Sequence, residues 1–308
     1  MRGIAGSEGK MNKAVTIGTF DGVHRGHQLV LDTLKKEASA RGLQPVAITF
    51  DRHPLELVAP ERAPGRLMTT ERKAEMIRRE GVEPLVLPFT EQLRSMRAYE
   101  WLDYIHRKYD VMLLVAGYDN TFGSDGIDMS IADYKAMGDA IGIEVIAAPE
   151  EEGVSSSAVR KAVKAGDISK AKDLLGHAPE IEGKVLPGFH VGSEIGFPTA
   201  NLQIMPQTAL PANGVYAAMA FIDDSAKGYP AMVNIGYRPT FKGTAKESRH
   251  LSVEAHIIGT EEDLYNRLIR LEFVDRLRDE KKFESVDDLA KQLLADREET
   301  LMKTSFLQ

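Results

Sequence analysis

Two rhythms of hydrophobicity divide this chain, and the change between them near residue 176 constrains the fold more than any other feature. Up to about Leu175, short apolar runs alternate with helix-period segments. Strands are expected over 14–17, 46–50, 84–87, 111–116 and 144–147. Helices are expected over 28–36, 71–79, 91–108, 131–141, 157–164 and 168–175. Strands separated by helices imply right-handed crossovers and a parallel α/β sheet, whose ligands sit at the C-terminal strand ends. After Gly176-His177-Ala178-Pro179 the chain reads as short strands over 181–186, 214–221, 231–235, 251–258 and 268–273, broken by Gly, Pro and Asn. That is the pattern of a barrel or sandwich. An amphipathic helix over 285–302 closes it, with Ser285 as N-cap and Val286, Leu289, Leu293 and Leu301 at helical spacing.

The 308 residues are 43% hydrophobic and 28% charged, enough apolar material for two cores. With 39 Lys and Arg against 46 Asp and Glu, the net charge is −7, which argues against nucleic acid or an anionic membrane as the main partner. There are no cysteines, which removes disulfides, thiolate catalysis and Cys-ligated metals and fits a reducing cytoplasm. No apolar run approaches the ~20 residues of a membrane span. The first thirteen residues lack the apolar stretch of a signal peptide.

Gly18-Thr19-Phe20-Asp21-Gly22-Val23-His24-Arg25-Gly26-His27 follows the first strand and opens the first helix. His24 and His27, three positions apart, share a face at a helix N-terminus, where free N–H groups and the dipole attract phosphate. Such donors suit attack on the α-phosphate of a nucleoside triphosphate, where charge builds on departing pyrophosphate. Gly153-Val154-Ser155-Ser156-Ser157-Ala158-Val159-Arg160 places hydroxyls at a second helix start, with Arg160 as a fork for phosphate oxygens. Two loops at strand ends, Thr49-Phe50-Asp51-Arg52-His53-Pro54 and Gly117-Tyr118-Asp119-Asn120-Thr121-Phe122-Gly123, suit nucleotide or acceptor contacts, and either also reads as a plain turn.

In the second half, Gly196-Phe197-Pro198-Thr199-Ala200-Asn201 offers two neutral oxygen ligands in a short turn, a set that suits Mg-nucleotide. Along Leu251-Ser252-Val253-Glu254-Ala255-His256-Ile257 the apolar residues point one way and Ser252, Glu254 and His256 the other. A carboxylate there could take the proton from an alcohol attacking a γ-phosphate.

Together these residues resemble the bacterial bifunctional riboflavin kinase/FMN adenylyltransferase (FAD synthetase) family. The pattern G-x-F-D-G-x-H-x-G-H, then F-D-P-H-P, G-x-D-F-x-F-G and I-S-S-T-x-I-R belongs to its adenylyltransferase module. Gly-Phe-Pro-Thr-Ala-Asn, Gly214-Val215-Tyr216-Ala217, Asn234-Ile235-Gly236-Tyr237-Arg238-Pro239-Thr240-Phe241, Glu254-Ala255-His256, Asp263-Leu264-Tyr265 and Arg278–Phe283 are similar to its riboflavin kinase module. This chain departs from the pattern at Arg52 (usually Pro), Asn120 (Phe), Ser157 (Thr) and Asn266 (Gly), and its 188–194 flap lacks the usual Arg or Lys.

The resemblance implies a Rossmann-like nucleotidyltransferase domain with a parallel sheet over 14–178. It implies a six-stranded antiparallel β-barrel with a terminal helix over 179–308. Riboflavin would be phosphorylated to FMN in the second and FMN adenylylated to FAD in the first, with ATP and Mg²⁺ at both and no nucleic-acid or membrane partner. By the same resemblance Gly18, Phe20, Asp21, Gly22, His24, His27, Ser155, Ser156 and Arg160 would hold ATP, and Asp51, His53, Asp119 and Asn120 the flavin, in the adenylyltransferase. In the kinase, Gly183, Pro198, Thr199 and Asn201 would hold Mg-ATP, with Thr199 and Asn201 on the metal. There Asn234, Arg238, Thr240, Arg278 and Phe283 would border the flavin, with Glu254 as base. Other nucleotidyltransferases, of the pantetheine-phosphate or nicotinate-nucleotide type, share the histidine turn but lack the Thr–Asn–Glu set. A nucleotide- or flavin-binding regulator on a decayed scaffold would have lost one of these positions, and all are present. A Rossmann dehydrogenase and a P-loop enzyme are excluded, since no G-x-G-x-x-G follows a strand and no G-x-x-x-x-G-K-[ST] occurs.

Overall fold

A computed structural model describes residues 12–118, 121–187, 196–223, 225–238 and 250–307, the side chains at 237, 238, 250 and 251 excepted. The chain divides into two compact units, one holding residues up to 63 with 70–154, the other 64–69 with 155 onward.

In the first unit, β1 (Lys13–Ile17), β2 (Gln44–Phe50), β3 (Glu83–Leu87), β4 (Val111–Ala116) and β5 (Glu144–Ala147) form a parallel sheet in the order β3-β2-β1-β4-β5. The strands are near-continuous apolar runs because helices cover both faces. Ala14, Val15, Ile48, Leu113 and Leu114 are fully buried. The order reverses direction between β1 and β4, so the crevice beyond their carboxyl ends is where such a sheet takes a ligand. Helix α1 (Arg25–Arg41) buries Val30, Leu31, Leu34 and Ala38 and stops at left-handed Gly42.

Two expectations need correction here. A short helix, α2 (Pro54–Val58), follows β2, built on Pro54 at its start and a box in which His53 and Glu56 cap each other's turn. After α3 (Thr70–Arg79), the single helix expected over 91–108 is two, α4 (Glu91–Ser95) and α5 (Ala98–Tyr109). Met96 and Arg97 are extended between them. The backbone groups this break frees go to the next loop: Ser124 N donates to Met96 O at 2.8 Å, and Ala98 N to Asp125 Oδ1 at 2.8 Å. Helix α6 (Ile131–Ile141) then leads into β5.

The second unit carries α7 (Ser156–Ala165), α8 (Ile168–Leu175) and a closed six-stranded antiparallel barrel. Its strands are β6 (Glu180–Leu186), β7 (Ala200–Ile204), β8 (Gly214–Ile222), β9 (Gly228–Arg238), β10 (His250–Ile257) and β11 (Leu268–Arg278), ordered β10-β7-β6-β11-β8-β9. β7 answers to no run expected from the periodicity. β11 runs past the expected end at 273 because register shifts at Phe273/Asp275 and Arg276/Arg278 let a polar stretch continue the ladder. The barrel interior is filled by Val185, Leu202, Tyr216, Ala218, Val233, Val253, Ile269, Leu271 and Phe273.

Helix α9 (Val286–Thr304), capped by Ser285 as expected, lies on the outer face of β8, β9 and β11. Leu293 and Leu301 pack on Phe197, Met232 and Ile258. Val286 departs from the expected apolar stripe: it is 63% exposed, and the helix instead buries Asp296, Thr300 and Thr304.

Candidate active sites

The turn from β1 into α1 is shaped by backbone. Gly18 N donates to Ile48 O at 3.0 Å as the last rung of the sheet. Gly22 then takes φ +85°, and two side-chain-bearing residues, Phe20 (+48°) and Val23 (+36°), share the left-handed region. Such conformations persist only when their surroundings over-determine them, and they concentrate at functional turns. The turn delivers His24 as the N-cap of α1: its Nδ1 accepts from His27 N at 3.3 Å. That leaves Nε2 as the N–H donor of the neutral ring. The two imidazoles stack with centroids 3.6 Å apart, 17° from parallel, and Phe20 packs 5.0 Å from His27. A Cβ on Gly26 would meet the His24 ring at 3.3 Å, so glycine there makes room for the stack. Asp21 and Gly22 lie in the same turn.

Asp51 and His53 sit at the end of β2, where both have local duties. Asp51 Oδ1 accepts from Phe89 N at 2.9 Å and pairs with Arg52, and His53 Nδ1 accepts from Leu55 N at 3.1 Å. Asp119 and Asn120 lie outside the described residues. Ser155, Ser156 and Arg160 belong to the second unit, where Ser155 caps α7 by accepting from Ala158 N at 3.2 Å. Arg160, 9% exposed, donates from Nε to Gly65 O at 2.6 Å.

In the barrel one rung gathers the expected polar groups. Residues paired directly across antiparallel strands share a face. The line runs Leu186–Asn201–Glu254–Asn234–Val215–Arg278 through β6, β7, β10, β9, β8 and β11. The neighbours of Glu254 along β10, Val253 and Ala255, fill the barrel, so the rung faces outward, toward α9. There a cavity of about 400 Å³ opens, lined by Thr199, Asn234, Glu254, Arg278 and Phe283 among the expected residues, and by Val215, Met232, His256, Leu289, Leu293 and Asp296. A ligand-sized cavity in which charged and polar groups converge beside an apolar wall can take a small molecule that is part flat ring and part polar chain. Pro198 and Asn201 border this wall without lining it.

Gly183 lies away from the cavity, where a Cβ would meet Gln203 O at 2.8 Å; it lets β6 and β7 approach. Thr240 and the 188–194 flap lie outside the described residues, as does the side chain of Arg238.

A family model described as FAD synthetase matches residues 7–159, and one described as riboflavin kinase matches residues 175–303. The bifunctional riboflavin kinase/FMN adenylyltransferase of Pseudomonas fluorescens is 37% identical over 286 residues, covering 91% of this chain and 89% of the relative. That of Bacillus subtilis is 32% identical over 306 residues, covering 98% and 95%. This chain belongs to the bifunctional riboflavin kinase/FMN adenylyltransferase family.

A solved structure from Streptococcus pneumoniae, described as a macrolide-efflux protein, is 33% identical with a TM-score of 0.82 and covers 95% of each chain. Its description names transport, whereas the described residues here hold no helix long and apolar enough to cross a membrane. Within the riboflavin kinase/FMN adenylyltransferase fold, one departure from the family pattern has a direct physical account. Asn266 stands where a glycine is usual and takes φ +62°, a conformation that Asn adopts more readily than other side chains.

Asp296 and Lys73 went unremarked in the sequence, and His256 was placed on a polar strand face without a role of its own. His256, on the polar face of β10, holds Pro198 O at 2.8 Å through Nδ1 and meets Phe197 edge-on at 5.3 Å. Burial lowers its pKa below the ordinary imidazole value, aided by the charge of Arg297 and opposed by the Pro198 bond. Asp296, 2% exposed, receives Arg278 in a fork at 3.0 and 2.7 Å. Lys73, 8% exposed, donates to Thr19 O and Phe50 O at 3.0 and 2.9 Å. The helix pattern carries no signal that separates the last two from the other charged positions.

Proposed function

We infer that this chain makes both flavin cofactors: its barrel phosphorylates riboflavin to FMN with ATP, and its α/β domain transfers AMP from ATP to FMN, giving FAD and pyrophosphate. The observation that carries the kinase assignment is the Glu254 carboxylate on one rung with Asn201 and Asn234, facing the Thr199 cavity. Glu254 takes the proton of the terminal ribityl hydroxyl as its oxygen attacks the γ-phosphorus, and ADP leaves. Arg278 and Phe283 supply a cation and a ring on the flavin side, the guanidinium carbon standing 5.9 Å from the ring centre.

The donors near Glu254, the Thr199 hydroxyl and the Asn201 carboxamide, are all oxygen and fit a hard divalent cation that also takes phosphate oxygens. Thr199 and Asn201 would hold Mg²⁺, which supplies neutralisation of the phosphate charge when bound. The described residues contain no cluster of three or more His, Cys, Asp or Glu able to hold a metal.

In the α/β domain His24 and His27 grip the triphosphate. An FMN phosphate oxygen attacks the α-phosphorus, and the bond to pyrophosphate breaks while the imidazole donors meet its growing charge. Asp51 and His53 flank the flavin side. By the family resemblance the Ser155 and Ser156 hydroxyls and Arg160 are assigned to phosphate as well. The absence of cysteine supports a cytoplasmic setting for both reactions. Incubating the purified chain with riboflavin and Mg-ATP, then separating riboflavin, FMN and FAD by chromatography, tests the whole reading. Failure to form FMN or FAD rejects the corresponding half.

A further inference from the structure

We propose that Lys73 is a positioning residue for adenylyl transfer: its ammonium fastens the loop after β1 to the end of β2 and so fixes where His24 and Asp51 stand. The proposal rests on reading the His24–His27 turn as the adenylyl-transfer site.

The β1–β2 ladder ends at Gly18 N, which donates to Ile48 O. Beyond it the two strands must part, one into the histidine turn and the other toward Asp51. At that parting Lys73 Nζ donates to Thr19 O at 3.0 Å and Phe50 O at 2.9 Å. Thr49 Oγ1 donates to the same Thr19 carbonyl at 3.1 Å. The helix that carries Lys73 grips β2 a second time, since Thr70 Oγ1 donates to Asp51 O at 3.0 Å. Thr19 therefore enters the turn with its carbonyl held by two donors, immediately before left-handed Phe20 and, after Gly22, left-handed Val23, which leads into His24.

Lys73 is 8% exposed, alongside Ala74 and Ile77 on the inward row of α3. Burying an ammonium is costly unless hydrogen bonds replace its water. A methionine of similar length would fill the same space without that cost. What lysine adds is a pair of charge-assisted bonds to two carbonyls, one leading to the candidate phosphate donors and the other to the candidate flavin loop. This is a geometric device, acting on the reaction through His24 and Asp51.

The absence of cysteine in the chain permits a clean test. Lys73→Cys provides a single thiol. Alkylation with 2-bromoethylamine restores an ammonium at lysine length, and alkylation with 1-bromopropane gives the same bulk without a donor; mass spectrometry verifies each. The proposal expects kcat for FAD formation from supplied FMN to fall about tenfold or more in the Cys and propyl forms. It expects the aminoethyl form to recover to within about threefold of the parent, while riboflavin phosphorylation is the same in all forms. Lys73→Met provides a second donor-free variant if the thiol resists alkylation.

Equal FAD formation by the propyl and aminoethyl forms overturns the proposal. So does a set of variants that melts unless position 73 is lysine, since Lys73 would then be holding the domain rather than the loop. A parent chain that forms no FAD rejects the underlying reading instead, which keeps the two failures apart.

Discussion

His24 and His27 stack face to face with ring centroids 3.6 Å apart, tied by the bond from His27 N to His24 Nδ1. The two rings therefore do different work. His24 caps the helix and is 6% exposed, whereas His27 lies one turn in with its ring against Phe20. Under the proposed function, removing the His27 ring deletes a phosphate donor, and the cap on the His27 backbone N–H stays. His27→Ala is expected to lower kcat for FAD formation by about 10²–10³-fold, the cost of one transition-state donor, with FMN formation unchanged. His24→Ala should add a helix-cap loss of about 1 kcal/mol, read as a lower melting temperature. A His27→Ala chain that is folded and loses both products rejects the assignment of two separate sites.

Glu254 faces Asn201 on one side and Asn234 on the other, and its strand neighbours Val253 and Ala255 are 2% and 1% exposed. A glutamine there keeps the ladder and the side-chain volume but cannot accept a proton. Glu254→Gln should reduce riboflavin phosphorylation by about 10²–10⁴-fold, the usual worth of a positioned base. FAD formation from supplied FMN should continue at the parent rate. Steady-state kinetics with each flavin separately decides it, and a Gln variant with normal FMN formation removes Glu254 from the role of base.

The Arg278–Asp296 fork links the end of β11 to α9 across the cavity wall, and Gln292 Nε2 donates to the same carboxylate at 2.9 Å. Both charged groups are largely shielded, with side chains 13% and 3% exposed. Deleting one member of such a pair leaves the other uncompensated, which costs about 3–5 kcal/mol. Asp296→Ala should therefore lower stability by that amount in denaturant titration and raise KM for riboflavin, because Arg278 loses the partner that aims it. Unchanged stability would mean that water already shields the pair.

How much of this was written in the sequence depends on whether a feature is local. The histidine turn, the Ser285 cap and the alternation along β10 are set by residues within one turn or one strand, and each was legible. The break between α4 and α5 was not, because it is made by Asp125 and Ser124, which lie well beyond the helix they interrupt. β7 was hidden for a related reason. Ala200–Ile204 is short and mixed, and becomes a strand by pairing with β6 and β10. Lys73 and Asp296 were not singled out, because nothing within their own helices sets them apart from the other charged positions. Only tertiary placement turns them inward, one onto two carbonyls and the other onto Arg278.

His256 carries the clearest expectation for pH. Burial against Phe197 is the main cause holding its pKa below the ordinary 6.5; the Arg297 charge adds to this and the Pro198 carbonyl opposes it. The folded chain therefore holds a neutral imidazole where the unfolded chain, below 6.5, takes a proton. Wherever the unfolded state binds more protons, stability rises with pH. The contribution of His256 is thus fully present above 6.5 and is lost as pH falls from there through the depressed folded value. Thermal melts from about pH 7 down to pH 5 should show the stability advantage of the parent over His256→Asn shrinking steadily. An NMR titration should place the His256 midpoint below that of an exposed histidine. Parallel melting curves for parent and variant, or a midpoint at the ordinary imidazole value, would show that water reaches the ring and that its bond to Pro198 is made without cost to the charged form.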